Sequence, residues 1–292
     1  MDGDSDASAL LGQKRWLKVD DSDVWVLATV VEHHQKGKQL SLERASAPSG
    51  VCRSFKMSEE QFSTLLEVHG DDADTEVHDL VALDDVQECT IIHTLRQRYA
   101  KNDIYTAIGP VLLAINPFKT VPVCLPKQLE QLNKLDPDEL PPHVFTIASN
   151  AYSKLVDEGH AQSILVSGES GAGKTETTKL VLRSLALASR TNGKMAEAAL
   201  ESGLLLEAFG NARTVYNHNS SRFGKWMAVH FDARGHLSAC TISSYLLEQS
   251  RVVGPPPGER SYHIFYQLLA AASPEELAAC RLPAASSYAD YA

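Results

Sequence analysis

Gly168-Glu169-Ser170-Gly171-Ala172-Gly173-Lys174-Thr175 has the spacing G-x-x-x-x-G-K-[ST], a set of residue types suited to gripping a triphosphate. Gly168, Gly171 and Gly173 lack a Cβ, so the backbone can turn its N–H groups inward and form a concave anion site at the positive end of a following helix. The Lys174 ammonium is placed to reach β- and γ-phosphates, and the Thr175 hydroxyl to ligate the Mg²⁺ that bridges them. Without a ligand, the same residues would be a tight glycine turn between a strand and a helix. Average residue frequencies give the bare pattern about one chance in a hundred in a chain of this length.

A second constellation follows. Asn217-His218-Asn219-Ser220-Ser221-Arg222-Phe223-Gly224-Lys225 supplies amides, hydroxyls and a guanidinium, groups able to order a terminal phosphate, a metal ion and a water. Taken alone, an Asn-Ser-Ser triplet is by default a polar surface loop with local side-chain hydrogen bonds.

The elements that must position these loops are legible in the periodicity. Ser163 to Ser167 reads as a strand leading into the glycine turn, and Lys174 to about Ala188 as a helix with Leu180, Val181, Leu185 and Ala188 inward. A helix from Val144 to Val156, expected to pack on a sheet, is stopped by Gly159. Another from about Met195 to Phe209 ends at Gly210. Met227 to Phe231 and Leu237 to Tyr245 form hairpin strands around Ala233-Arg234-Gly235-His236. Tyr262 to Ala272 is helical, and Ser273-Pro274-Glu275-Glu276 carries the N-cap, first-turn proline and N3 glutamate of a further helix. Earlier, Ile91, Leu95 and Tyr99 fall at helical spacing, and Val111 to Ile115 is a short buried strand.

The first 13 residues read as an acidic flexible tail. Residues 14–66 alternate as strands, with a turn at Lys36-Gly37-Lys38, and fit a small antiparallel barrel; Asp71, Asp72, Asp74 and Glu76 form the connector behind it. Composition sets the outer limits. The 292 residues are 43% hydrophobic and 22% charged, as in a folded globular chain. With 27 basic against 37 acidic residues the net charge is −10, which argues against a sequence-independent hold on nucleic acid or anionic lipid. Five scattered cysteines read as reduced cytoplasmic thiols. No apolar run approaches the roughly 18 residues of a membrane span, so no membrane insertion is expected.

Four blocks in order then identify a family. GESGAGKTETTK, FGNARTVYNHNSSRFGK, YLLEQSRVV and ERSYHIFYQLL together resemble the myosin motor domain strongly from about Asp79 onward. The resemblance implies an α/β fold, a P-loop NTPase core built as a partial motor sheet with flanking helices, preceded by a small SH3-like β-barrel. It implies that Gly168, Glu169, Ser170, Gly171, Ala172, Gly173, Lys174, Thr175 and Glu176 bind ATP, and that Asn217 contacts phosphate oxygens. Ser221 joins Thr175 as a ligand of Mg²⁺, Ser220 sits by the attacking water, and Arg222 pairs with a glutamate of switch II that this sequence does not contain. Asn116-Pro117-Phe118-Lys119 resembles the start of the family's adenine loop. That loop ends here in Cys124 where the family carries tyrosine. Loss of base stacking, worth about 1–3 kcal/mol, implies weaker nucleotide affinity or looser base selectivity, with measurable binding of GTP; the alternative reading is that Cys124 is a harmless replacement.

In this family the motor domain continues through switch II, relay helix, actin-binding cleft and converter, none of which follows HIFYQLL. Residues 67–292 therefore read as the N-terminal part of an actin-based motor, cytoplasmic and cytoskeleton-associated, whose actin contacts lie outside this chain and whose own turnover is very slow. Two other readings remain: a nucleotide-binding module that never hydrolyses, and a kinesin-like motor. Kinesins share N-x-x-S-S-R but continue it with Ser-His, whereas Phe223-Gly224-Lys225 follows here.

Overall fold

The computed structural model describes residues 10–19, 24–34, 39–44, 54–68, 77–122, 125–136, 140–190 and 194–282. The chain divides into two compact units, one up to Pro117 and one from Phe118.

Alternation builds the first unit. Strands β1 (Lys14–Val19), β2 (Val24–His34), β3 (Gln39–Arg44), β4 (Ser54–Ser58) and β5 (Leu66–Glu67) form one antiparallel sheet in the order β4-β3-β2-β1-β5. On one face Ala28, Val30, Leu40 and Leu42 pack with Phe62 of the short helix α1 (Glu59–Ser63), which a Ser58/Gln61 capping box starts. On the other, Trp16 and Leu27 pack against Cys89 of helix α2 (Glu88–Ala100), and the Trp16 ring meets His93 edge-on at 5.1 Å. Burial on both faces explains why β2 reads as a nearly continuous apolar run.

No ladder joins β4 to β5 among the described residues, so the sheet is open where a closed barrel was expected. The reason is local: β5 is two residues long and pairs only with Arg15 and Trp16. The 36–38 turn and the connector at 71–76 lie outside the described residues. Helix α2 is tied to a hairpin, β6 (Tyr105–Ile108) and β7 (Val111–Ala114), by the buried Arg98, which donates to the Thr106 hydroxyl at 3.0 Å and the Tyr105 carbonyl at 2.8 Å.

In the second unit, helices α3 (Pro126–Leu132), α4 (Val144–Glu158), α5 (Lys174–Ala188) and α6 (Lys194–Gly210) precede a small ladder of β8 (Asn211–Ala212) with β9 (Ser220–Ser221). The hairpin β10 (Gly224–Phe231) and β11 (Leu237–Tyr245) follows, then helices α7 (Ser250–Val253), α8 (His263–Ala271) and α9 (Pro274–Ala279). Leu182 and Ala186 of α5, Ala196 and Ala199 of α6, and Leu237 form a core against Met227, Val229 and Phe231. Helix α4 lies along α5 and reaches the hairpin turn, where the Tyr152 hydroxyl donates to the Gly235 carbonyl at 2.8 Å. It ends at Gly159, in the left-handed region at φ 69°.

The expected strand at 163–167 does not form. Those residues pair with nothing in a ladder, and Leu165 is 90% exposed. Every ladder between strands among the described residues is antiparallel, and the one parallel pairing among them is the isolated bridge of Asp79 with Ala107, so the described residues do not assemble the parallel core of the expected α/β fold. A parallel strand is held only by neighbours on its edges, and neither two-stranded sheet of this unit, β8 with β9 or β10 with β11, extends its ladder to 163–167. No helix among the described residues is long and apolar enough to cross a membrane.

Candidate nucleotide site

At Gly168, Gly171 and Gly173 the backbone takes φ of 149°, 84° and 98°, values that side chains with a Cβ rarely adopt. Gly173 is the N-cap of the 15-residue helix α5 and offers no side-chain cap, so the amides of the first turn point out of the loop without a side-chain acceptor. Over this mouth folds Lys174. Its ammonium donates to the carbonyls of Gly168 at 2.7 Å and Glu169 at 2.8 Å, two contacts that a polyanion at the helix end can replace. Thr175 follows in the first turn, half-buried, and Glu176 pairs with Lys179 at 2.8 Å.

The second loop is shaped by its own hydrogen bonds. The β8–β9 ladder closes it by pairing Asn211 with Ser221 and Ala212 with Ser220. Inside, Thr214 and Asn217 bond each other's backbones, and the Asn217 side chain accepts from the amide of Asn219 at 3.0 Å. Asn219 is held in turn by Asn211 at 3.1 Å and Glu207 at 3.2 Å, with His263 Nε2 3.0 Å from its side-chain oxygen. Burial pushes the His263 imidazole below its ordinary pKa and so favours the neutral ring, against the pull of Glu207, which favours the charged one.

The two loops touch. The hydroxyls of Ser170 and Ser220 lie 3.0 Å apart, and a Cβ placed on Gly171 would stand 3.9 Å from the Asn217 side-chain nitrogen. Asn217 and Ser220 thus lie against Gly171 and Ser170 of the glycine loop, Arg222 reaches that loop through the Ser220 hydroxyl, and Ser221 is exposed on β9. Asn116-Pro117-Phe118-Lys119 lies across the division between the units. There the Asn116 carbonyl accepts from the Tyr99 hydroxyl at 3.4 Å, and Phe118 takes a left-handed φ of 50° and is 84% exposed. Cys124 lies outside the described residues.

Arg222 has a partner within this chain. Its Nε donates to Glu248 at 2.5 Å, and Nη1 donates to the Ser220 hydroxyl at 3.3 Å. Glu248 also accepts from Arg251, whose side chain is 1% exposed and pairs further with Glu259 at 2.7 Å. The hydrogen bond from Arg251 holds the Glu248 carboxyl below its ordinary pKa, against burial that raises it and with help from Arg222. Sequence reasoning assigned Glu248 no role. Its signal was the i,i+3 spacing of Glu248 and Arg251 inside YLLEQSRVV, which marks a short-range charge pair.

The donor set fits the group that the sequence implies. Outward amides, an ammonium and hydroxyls at Thr175 and Ser221 suit a triphosphate with a hard, oxygen-seeking cation. Comparison with known proteins supplies the class: the family model described as Myosin head (motor domain) matches residues 77–292. The chain is 43% identical to unconventional myosin-VIIb of Mus musculus over 78% of its own length and 11% of the relative's. It is 45% identical to unconventional myosin-Ia of Gallus gallus over 73% of this chain and 21% of that one. With Myosin-15 of Arabidopsis thaliana the identity is 42% over 91% of this chain and 17% of the relative. The chain belongs to the myosin family. It spans between about a tenth and a fifth of the length of these curated relatives.

Proposed function

We propose that this chain is the ATP-binding part of an actin-based cytoskeletal motor that couples Mg·ATP hydrolysis to movement along actin. The observation that carries the reading is the 3.0 Å contact between Ser170 and Ser220, which sets a loop of amides and hydroxyls against a glycine loop at the uncapped start of α5. In this reading the amides of Gly168 to Thr175 bind the phosphates, assisted by Glu169, Ser170, Ala172 and Glu176 along the same segment. Lys174 leaves the Gly168 and Glu169 carbonyls for the β- and γ-phosphates. Asn217 donates to phosphate oxygens, Ser220 orients the attacking water, and Arg222 steadies the loop. Thr175 and Ser221 would hold Mg²⁺, which supplies charge neutralisation of the phosphates when bound. Asn116, Pro117, Phe118 and Lys119 begin the segment that takes the base.

Phosphoryl transfer depends mainly on positioning and electrostatics, so turnover is assigned to the complete motor, and little to these residues alone. Actin is met by regions outside this chain. Family membership and the absence of a membrane-length helix among the described residues are consistent with a cytoplasmic place on the cytoskeleton. The domain division proposed is a tail at 1–13, an SH3-like module at 14–66 and motor sequence at 67–292.

Equilibrium dialysis against Mg·ATP tests the reading. The Lys174→Ala chain is expected to lose at least tenfold in affinity, as befits a charge-assisted contact of about 1.5–3 kcal/mol. Full affinity in that variant would overturn the assignment.

A further inference from the structure

The 217–222 loop is held from behind by a charge cluster. Arg222 Nε donates to one oxygen of Glu248 at 2.5 Å, and the Glu248 amide donates to the Arg222 carbonyl at 3.0 Å. Glu248 does not move freely: Arg251 donates to both its oxygens, at 2.9 and 3.3 Å, and the Tyr262 hydroxyl donates to its carbonyl at 2.7 Å. Arg251 is fixed in turn by Glu259 at 2.7 Å and the Arg260 carbonyl at 3.0 Å, and the Ser261 hydroxyl donates to the Arg251 carbonyl at 3.0 Å.

Two guanidinium groups and two carboxylates balance in this cluster, but not equally. The Arg251 side chain is 1% exposed and that of Arg222 is 30% exposed. Removing Arg222 leaves Glu248 still paired with Arg251, whereas neutralising Glu248 leaves Arg251 with Glu259 and Arg222 without its carboxylate. Glu248 is therefore the joint between a fixed base and the loop. From Arg222 the connection continues through Nη1 to the Ser220 hydroxyl at 3.3 Å and on to Ser170 of the phosphate loop at 3.0 Å.

We propose that Glu248 is a positioning residue: clamped by the buried Arg251, it holds Arg222 and thereby fixes the 217–222 loop against the phosphate loop. It touches no phosphate itself. Nucleotide affinity then depends on a carboxylate set behind the loop, and in that respect the proposal rests on the ATP-binding reading above.

The test is Glu248→Gln in the full chain, read by amide hydrogen exchange without nucleotide and by equilibrium dialysis with Mg·ATP. Losing a charge-assisted bond at this joint is expected to speed exchange at residues 217–222 and weaken Mg·ATP binding, each by about tenfold. Protection in the β10–β11 hairpin stays unchanged. The Arg222→Ala chain should show the same two losses, and in these loop readouts the double variant should be no worse than Arg222→Ala alone, because the Arg222–Glu248 pair that both changes break is the side-chain link by which Glu248 reaches the loop. Since Arg222 is partly exposed, this second variant serves if the first fails to fold. Unchanged protection at 217–222, loosening that spreads through the hairpin, or additive effects would overturn the proposal. If the wild-type chain took up no Mg·ATP, the nucleotide reading would fall and the exchange measurement alone would still decide the positioning.

Discussion

At the scale of single residues, the charges that matter for the loops are neutralised in pairs, and this ties them to pH. Glu248 faces Arg222, Arg251, Glu259 and the Tyr262 hydroxyl. The hydrogen bond from Arg251 lowers its pKa from the ordinary 4.5, burial opposes this, and Arg222 adds to it. Glu259 is lowered in the same direction, first by its own bond from Arg251. A carboxyl whose folded pKa is depressed contributes stability above its unfolded value and loses that contribution as pH falls through the folded one. Thermal stability should therefore fall on acidification below the ordinary glutamate value of 4.5, and the Glu248→Gln chain should fall less steeply over the same range. Parallel curves of melting temperature against pH for the two chains would remove Glu248 from the account. Among the described residues Lys174 bonds to loop carbonyls and to no acid. Its charge stays available for an anion, which is why Lys174→Ala is expected to act on nucleotide affinity.

At the scale of elements, the loops are aimed by close packing at the end of α6. A Cβ on Gly210 would run into the Phe223 ring, and the Gly210 carbonyl accepts from the Arg222 amide at 2.8 Å. Gly210→Ala must push Phe223, and with it Arg222, away from α6. Overpacking of this kind costs about 1–3 kcal/mol; a lower melting temperature together with weaker Mg·ATP binding is the expected result, and a variant indistinguishable from wild type would mean that the ring simply turns aside. Much of this scale was legible in the sequence where the cause is local. Ser273 and Glu276 form both bonds of their capping box, Gly159 takes the left-handed cap of α4, and Gly235 turns the β10–β11 hairpin at φ 78°. The 163–167 strand failed because alternation states only that a segment suits a sheet, and the neighbours that make it a strand come from elsewhere in the chain. Glu248 was missed for the same kind of reason. Its contact with Arg222 spans 26 positions, and no periodicity carries information over that distance. Both glycine and serine loops were read in advance as chemistry, but their mutual contact at Ser170 and Ser220 could come only from the fold.

At the scale of the whole molecule, burial is incomplete in a patterned way. Helix α6 buries Ala196 and Ala199 in the core of its unit, yet Leu204, Leu205 and Phe209 on its second half are each more than half exposed. Leu165, beside the phosphate loop, is more exposed still. Apolar side chains in this state gain by leaving water against any surface that accepts them, at roughly 25 cal/mol per Å². A second copy of the same chain is such a surface in a pure solution. The opposing force is the net charge of −10, which repels copies at long range but is screened within about 8 Å at physiological ionic strength. Self-association of the 292-residue chain should therefore increase with added salt, the reverse of an assembly held by ion pairs. Replacing Leu204 and Leu205 with lysine should reduce it without lowering the melting temperature, because neither side chain belongs to the core that α6 forms with α5 and the hairpin. Sedimentation velocity at low and high salt measures both effects. A chain that stayed monomeric at high salt, or a lysine variant that associated as strongly as wild type, would show that these leucines do not govern how the molecule meets its own kind.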